Sequence, residues 1–152
     1  MALVHEILYQ SPEISNIDLA KYVRTLGKNL FEFYGIKEQG ISLHTDIPEI
    51  LLIVNSAIPV GLITNELMSN ALKHAFPGKY NGEIFIKVRK KNHNLSMIFR
   101  DNGIGIPKEL NWRDTKSLGL RMVFSLVEQM KGTLGLDRSK GTEFSMVLEE
   151  RI

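Results

Sequence analysis

Asn65–Phe76, NELMSNALKHAF, is the stretch whose reading decides how the rest of the chain is understood. On a helix at roughly 100° per residue, Glu66, Asn70 and Lys73 fall within an arc of about 60°. A carboxylate, a carboxamide and an ammonium therefore share one narrow stripe. Val60, Leu67, Met68, Ala71 and Ala75 lie beside it and form the apolar flank that a core helix needs. Taken alone, the segment is an ordinary amphipathic helix with a solvated polar face. The sequence further on changes that reading. Asp101-Asn102-Gly103-Ile104-Gly105 follows a strand-like run, and two more glycine sites stand at Gly119 and Gly141.

Composition narrows the field. The 152 residues suit one compact domain with a substantial core. Apolar residues make up 43% and charged residues 24%, the balance of a soluble globular protein. A formal net charge of +2 gives no reason to expect nucleic acid. Lys87, Arg89, Lys90 and Lys91 alternate with apolar residues into a turn and read as a solvated strand end. The absence of cysteine excludes disulfides and thiolate-bound metals. No apolar run approaches the ~18 residues of a membrane span, and the N-terminus lacks a signal-peptide layout. A soluble chain is expected, whatever the parent protein's attachment.

Residues 1–10 (MALVHEILYQ) read as a short helix with Leu3, Val4, Ile7 and Leu8 on one side, too short to be stable alone. They are expected to be the tail of a longer helix, which Ser11-Pro12 ends. Ser15 with Asp18 forms a capping box, and Ile14 with Leu19 fits the hydrophobic staple around it. Leu19, Val23, Leu26, Leu30 and Phe33 then recur at helical spacing, with Gly35 as the stop. Gly27, inside that helix, marks a close packing contact. Ile41–Thr45 alternates like a strand, Asp46-Ile47-Pro48 turns, and Leu51–Val54 is a short buried run. Asn55 or Ser56 is the expected cap of the central helix, with Pro59 in its first turn and Pro77-Gly78 as its end. Glu83–Arg89 and Leu95–Arg100 form a hairpin over residues 90–94. A polar stretch then runs to Ser117 with one proline and one tryptophan. A helix follows over 118–131, and Thr133–Leu136 with Glu143–Leu148 makes a second hairpin. Antiparallel hairpins with helices gathered on one face predict an α+β fold, a two-layer sandwich on a mixed, mostly antiparallel sheet.

The candidate site is a set of weak signals in a fixed order. Gly103 and Gly105 let the backbone come close to a planar or charged ligand. An aspartate ending a strand can accept a hydrogen bond from an exocyclic amine. Gly119 opens a helix whose free N–H groups suit phosphate. Gly141-Thr142 begins the last strand, where a hydroxyl can reach a base edge. The pattern is not the dinucleotide fingerprint, because no G-x-G-x-x-G opens a helix after a first strand.

In order and spacing, Glu66 and Asn70 on a helix, D-x-G-x-G, a glycine at a helix start and G-T-x-F resemble the ATP-binding domain of sensor histidine kinases. That domain belongs to the superfamily shared with type II topoisomerases, Hsp90 chaperones and mismatch-repair MutL proteins, with the Bergerat-type fold. The resemblance covers roughly residues 55–149. Upstream, His5-Glu6-x-Leu8-Tyr9 and Ala57-Ile58-Pro59 look like the histidine-kinase branch with a short lid. It implies a division into a dimerisation-helix tail, 1–10, and a catalytic ATP-binding domain, 11–152.

For the site, the resemblance implies ATP held between the central helix, the D-x-G-x-G loop with Ile106, and the helix opened by Gly119 and Leu120. Asn70 would ligate Mg²⁺ through its side-chain oxygen. Glu66 would act as general base or orient the nucleophile, Lys73 would meet phosphate, and Asp101 the adenine amino group. Thr142 would reach a water or a base nitrogen. His74 is read as a nucleotide contact or a structural hydrogen bond, and Arg121 as a phosphate contact or a surface residue. Trp112 either anchors the lid or packs on the core.

The implied function is transfer of the ATP γ-phosphoryl group to a histidine on a dimerisation helix. No acceptor histidine is evident here. His5 stands where the family carries a non-phosphorylated histidine, and His44 and His93 read as solvated. Implied partners are that phosphoacceptor helix and a downstream response regulator. The full-length protein would be a homodimer and this chain a monomer, located in the cytoplasm whether or not the parent protein is attached to a membrane. The competing readings are an anti-sigma-factor type serine kinase, which the leading helix argues against, and a nucleotide-gated interaction module without transfer. The second would lack Glu66, Asn70 or Asp101, and all three are present.

Overall fold

The computed structural model describes residues 16–34, 40–78, 81–114 and 118–151. The expected leading helix with His5, the Ile14 and Ser15 capping signals and the Gly35 stop lie outside them. Among the described residues a five-stranded sheet carries three α-helices, the two-layer α+β arrangement that the alternation and periodicity predict. Strands β1 (Ile17–Asp18) and β3 (Leu51–Leu52) pair antiparallel as a separate two-stranded ribbon. The main sheet takes β2 (Ser42–Asp46), β4 (Glu83–Lys91), β5 (Asn94–Asp101), β7 (Thr142–Glu149) and β6 (Thr133–Asp137), in that spatial order. Only β2 against β4 is parallel. The helices are α1 (Leu19–Phe33), α2 (Val54–His74) and α3 (Leu118–Gln129).

Helix α1 begins three residues later than a Ser15 cap would place it. Asp18 is the N-cap, and its carboxylate accepts the Lys21 N–H at 3.2 Å. An aspartate holds this position well because its acceptor reaches an orphan donor of the first turn. The buried face is Leu19, Tyr22, Val23, Leu26 and Leu30, at helical spacing. Gly27 is the close contact its position suggests: a Cβ there would run into Leu43 Cδ2.

Helix α2 departs from expectation at its start. Neither Asn55 nor Ser56 caps it. Ile53 does, in extended conformation and with no side-chain bond, its carbonyl accepting from the N–H of Ser56 and Ala57. Ser56 is buried and turned elsewhere: its hydroxyl donates to the Arg151 carbonyl and accepts the Arg151 N–H. Pro59 therefore sits inside the helix, past its first turn. It deprives the Asn55 carbonyl of its usual helical donor, at a residue that is exposed.

The β4–β5 turn is tighter than the sequence suggests. Lys90, Lys91 and Asn94 join the ladders and leave only Asn92-His93 as the turn, with Asn92 at φ 57°. Asparagine tolerates the left-handed region better than most residues. The basic strand end is solvated and paired, Arg89 with Asp46 at 2.9 Å and Lys90 with Glu150 at 3.2 Å. His44 and His93 are exposed, as expected.

Ile84, Ile86 and Val88 on β4, Leu95, Met97 and Phe99 on β5, and Phe144, Met146 and Leu148 on β7 are all buried beneath the helices. Between α1 and α2, Gly61 faces the Tyr22 ring so closely that a Cβ would overlap its hydroxyl and ring carbons. The Tyr22 hydroxyl is buried without a hydrogen-bond partner among the described residues, and burial pushes its pKa up. Gly61→Ala is expected to cost about 1–3 kcal/mol, by overpacking. Urea denaturation should show it as a lower midpoint at unchanged slope. An unchanged midpoint would mean that the Tyr22 ring swings aside freely.

Candidate functional site

The site grows out of the pleat. Along β5 the side chains of Leu95, Met97 and Phe99 point to the helices, so the next in phase, Asp101, points there too. Along β7 the phase of Leu148, Met146 and Phe144 brings Thr142 inward. The two strands pair Asp101 with Thr142 directly. A carboxyl and a hydroxyl thus stand side by side at the end of an otherwise apolar face, 3% and 6% exposed. Burial pushes the Asp101 carboxyl above its ordinary 3.8, while the backbone N–H groups of Gly103 and Thr142 pull it back. The Gly103 N–H donates to Asp101 Oδ1 at 2.9 Å.

The C-terminal half of α2 forms the opposite wall. Leu67, Asn70, Ala71 and His74 face Asp101 and Thr142 across a cleft of about 330 Å³. The glycine loop closes its end. Gly103 lies against the last turn of α2, where a Cβ would overlap the Ala75 carbonyl, and the Ile104 N–H bonds that carbonyl at 2.9 Å. Gly105, at φ 79°, carries the chain past the Gly141 carbonyl, so the loop and the β6–β7 turn are packed backbone on backbone. Ile106, Pro107 and Leu110 then form the outer wall, and Leu120 of α3 enters from above.

Glu66 lies one turn before Asn70 on the same face, half-buried beside the start of α3. A Cβ on Gly119 would meet Glu66 Oε2 at 2.6 Å, with Asn70 Nδ2 at 4.0 Å. Gly119 thus brings the N-terminus of α3 against that stripe, where its N–H dipoles favour negative charge. Lys73 and Arg121 are exposed and stand outside the cleft lining. His74 is exposed at the rim and lines the cleft. Trp112 is 9% exposed and packs on Phe124 and Phe144, with ring centroids 5.7 and 6.0 Å away. Core packing and anchoring of the segment before α3 are therefore one contact.

The candidate residues from the sequence thus separate into three groups. Asn70, His74, Asp101, Gly105, Ile106, Leu120 and Thr142 line the cleft directly. Glu66, Gly103 and Gly119 shape it from behind, and Lys73 and Arg121 lie outside it. Phe144 is the phenylalanine of the G-T-x-F signature; sequence reasoning did not single out its floor partner Phe99, whose alternation was visible, nor Pro107 and Leu110, which carry no signal. A hollow of similar size over the stacked His44, Phe85 and Arg100, on the outer face of the sheet, collects none of the candidates.

Among the described residues, no group of three or more His, Cys, Asp and Glu converges to hold a metal ion. A cation at this cleft would depend on ligand oxygens as well as protein ones. The half-buried Asn70 carboxamide fits that arrangement, since Mg²⁺ takes hard oxygens and commonly binds through one or two protein groups plus phosphates and water.

Comparison with known proteins places the chain in a family. The family model described as "Histidine kinase-, DNA gyrase B-, and HSP90-like ATPase" matches residues 55–152, and one described as "Histidine kinase" matches residues 1–34. Blue-light-activated histidine kinase 2 of Erythrobacter litoralis is 25% identical over 142 residues, 88% of this chain and 40% of that protein. The sensor histidine kinase PdtaS of Mycobacterium tuberculosis is 33% identical over 86 residues, 54% of this chain and 17% of that one. The solved histidine kinase domain of the Erythrobacter litoralis EL346 blue-light activated kinase superposes with a TM-score of 0.84 at 24% identity, covering 97% of this chain and 71% of that one. The chain spans well under half the length of these curated relatives. With the ATPase model matching from the second residue of α2 to the last residue of the chain, the chain belongs to the family of histidine kinase-, DNA gyrase B- and HSP90-like ATPases.

Proposed function

We propose that this chain is the ATP-binding catalytic part of a sensor histidine kinase and transfers the γ-phosphoryl group to a histidine on a phosphoacceptor helix. The observation that carries it is the convergence of Asn70, Asp101 and Thr142 on one cleft, with Glu66 beside the N-terminus of α3. Asp101 accepts the adenine amine, and Thr142 meets the adjoining base edge directly or through water. Leu67, Ala71 and Phe144 sandwich the base, and the face of Asn70, Lys73 and α3 turns toward the phosphates.

Phosphoryl transfer asks a protein mainly for position and charge. Asn70 would hold Mg²⁺ through its side-chain oxygen, and the ion when bound would neutralise charge at the phosphates. Glu66 takes the imidazole proton of the acceptor as its nitrogen bonds to phosphorus and the bond to the ADP oxygen breaks. The electron pair leaves with ADP. In this reading residues 1–10 belong to the dimerisation helix and 11–152 to the catalytic domain. The whole protein is a homodimer that passes phosphate to a response regulator, with this part of it in the cytoplasm, while this chain alone is a monomer.

Calorimetry with ADP or ATP is expected to show Mg²⁺-dependent binding, and Asn70→Ala to lose the Mg²⁺ dependence. A folded chain that takes up no nucleotide at millimolar concentration would rule the assignment out.

A further inference from the structure

The outer wall of the cleft has little core burial to hold it. Ile104 is 61% and Leu110 49% exposed, yet both line the space between α2 and the sheet. What fixes this wall is polar. Residues 107–110 form a turn closed by the Leu110 N–H on the Pro107 carbonyl at 3.1 Å. Arg138, on the β6–β7 turn, donates from Nη1 to the Pro107 carbonyl at 2.8 Å and to the Leu110 carbonyl at 2.7 Å. A second tether lies further along. Arg113 lies over Trp112 at 4.5 Å and donates to the Leu134 carbonyl at 2.9 Å.

Arg138 is itself held in place. Asp137 Oδ1 accepts both the Ser139 N–H at 2.9 Å and the Ser139 hydroxyl at 2.6 Å, which sets the turn on one side. On the other, Gly141 rests against the Asp101 carbonyl, where a Cβ would overlap it. Through this turn the guanidinium links the exposed wall of the cleft to the strand ends that carry Asp101 and Thr142.

We propose that Arg138 is a positioning residue that keeps the 107–110 wall closed over bound nucleotide and so sets how long nucleotide stays. The inference rests on the nucleotide reading of the cleft and adds to it a residue that need not touch the ligand. Losing two hydrogen bonds from one group opens the wall without changing the approach route, so the effect falls on dissociation. Both bonds leave a single nitrogen, which a lysine ammonium can imitate.

The test follows a fluorescent ADP analogue by stopped flow, and amide hydrogen exchange of the nucleotide-free chain, for the parent, Arg138→Ala and Arg138→Lys. Arg138→Ala is expected to release the analogue about tenfold faster, with an association rate within about twofold of the parent. Exchange at Leu110, whose N–H closes the turn on the Pro107 carbonyl, should quicken by about tenfold while the strand amides stay as they were. Arg138→Lys should restore most of both. Faster release with unchanged exchange at Leu110 would make Arg138 a direct phosphate contact and overturn the positioning role. Faster exchange with unchanged release would show that the wall does not retain nucleotide, and overturn it equally. A parent chain that binds no ADP would sink the nucleotide reading and the retention role with it, whereas the exchange comparison still reports whether Arg138 holds the wall.

Discussion

Glu66→Gln is expected to lower phosphoryl transfer by ~10²-fold or more, the usual scale for removing a general base, while leaving Mg²⁺–ADP affinity nearly as it was. Glutamine keeps the size and polarity of the side chain, so the packing of Glu66 beneath Gly119 survives. What disappears is the capacity to take a proton. The neighbouring Asn70, one turn further on, is unaltered and still faces the cleft. Binding and transfer should therefore separate at two residues of a single helix face. The measurement mixes this chain with a separately made helix carrying the acceptor histidine and radiolabelled ATP, and compares the rate with calorimetric affinity for ADP. Transfer at the parental rate would make Glu66 a structural polar residue and α2 a binding platform only.

Asp101→Asn is expected to weaken nucleotide binding by ~10²-fold, since it costs a charge-assisted hydrogen bond and leaves a mismatched donor in a buried place. The Gly103 N–H already holds Oδ1. An asparagine keeps that bond with its own oxygen and so turns its NH₂ toward the adenine amine, donor against donor. Stability should move the other way. Burial raises the Asp101 pKa above 3.8, so its favourable contribution to folding is full below that value. It is lost as pH rises through the folded-state pKa. At neutral pH the empty cleft carries a desolvated carboxylate, and asparagine should leave the denaturation midpoint level or higher. Nucleotide affinity of the parent should instead fall as pH drops through that window, because only the carboxylate accepts the amine. Calorimetry and urea denaturation across pH test both arms. A variant that lost affinity and stability together would mark Asp101 as a fold residue.

Much of this was legible beforehand because the polar site residues continue periods set by apolar ones. Asp101 and Thr142 sit in phase with buried strand residues, and Glu66 and Asn70 sit beside the buried stripe of α2, so the rules that locate the core also aim the site. What escaped was what depends on distant partners. Ser56 looks like a cap and is withdrawn from the helix end by Arg151, ninety-five positions away. Asp18 and Ser15 offer the same local chemistry, and the β1–β3 pairing, which makes Asp18 the last extended residue, is a tertiary choice. The parallel pairing of β2 with β4 depends on α2 crossing between them. Arg138 is a lone arginine in a turn, and only the path of residues 107–110 gives it meaning.

The reciprocal bonds between Ser56 and Arg151 bear on how the molecule can be wired to other things. They fasten the final strand's exit to the beginning of α2, whereas the cleft opens along its far half. Between Ser56 and Asn70 lies a rise of about 21 Å along the helix axis. A fluorescent protein or immobilisation handle joined after Arg151 would leave from the end of the molecule remote from the cleft, and a surface-tethered chain would present that cleft outward.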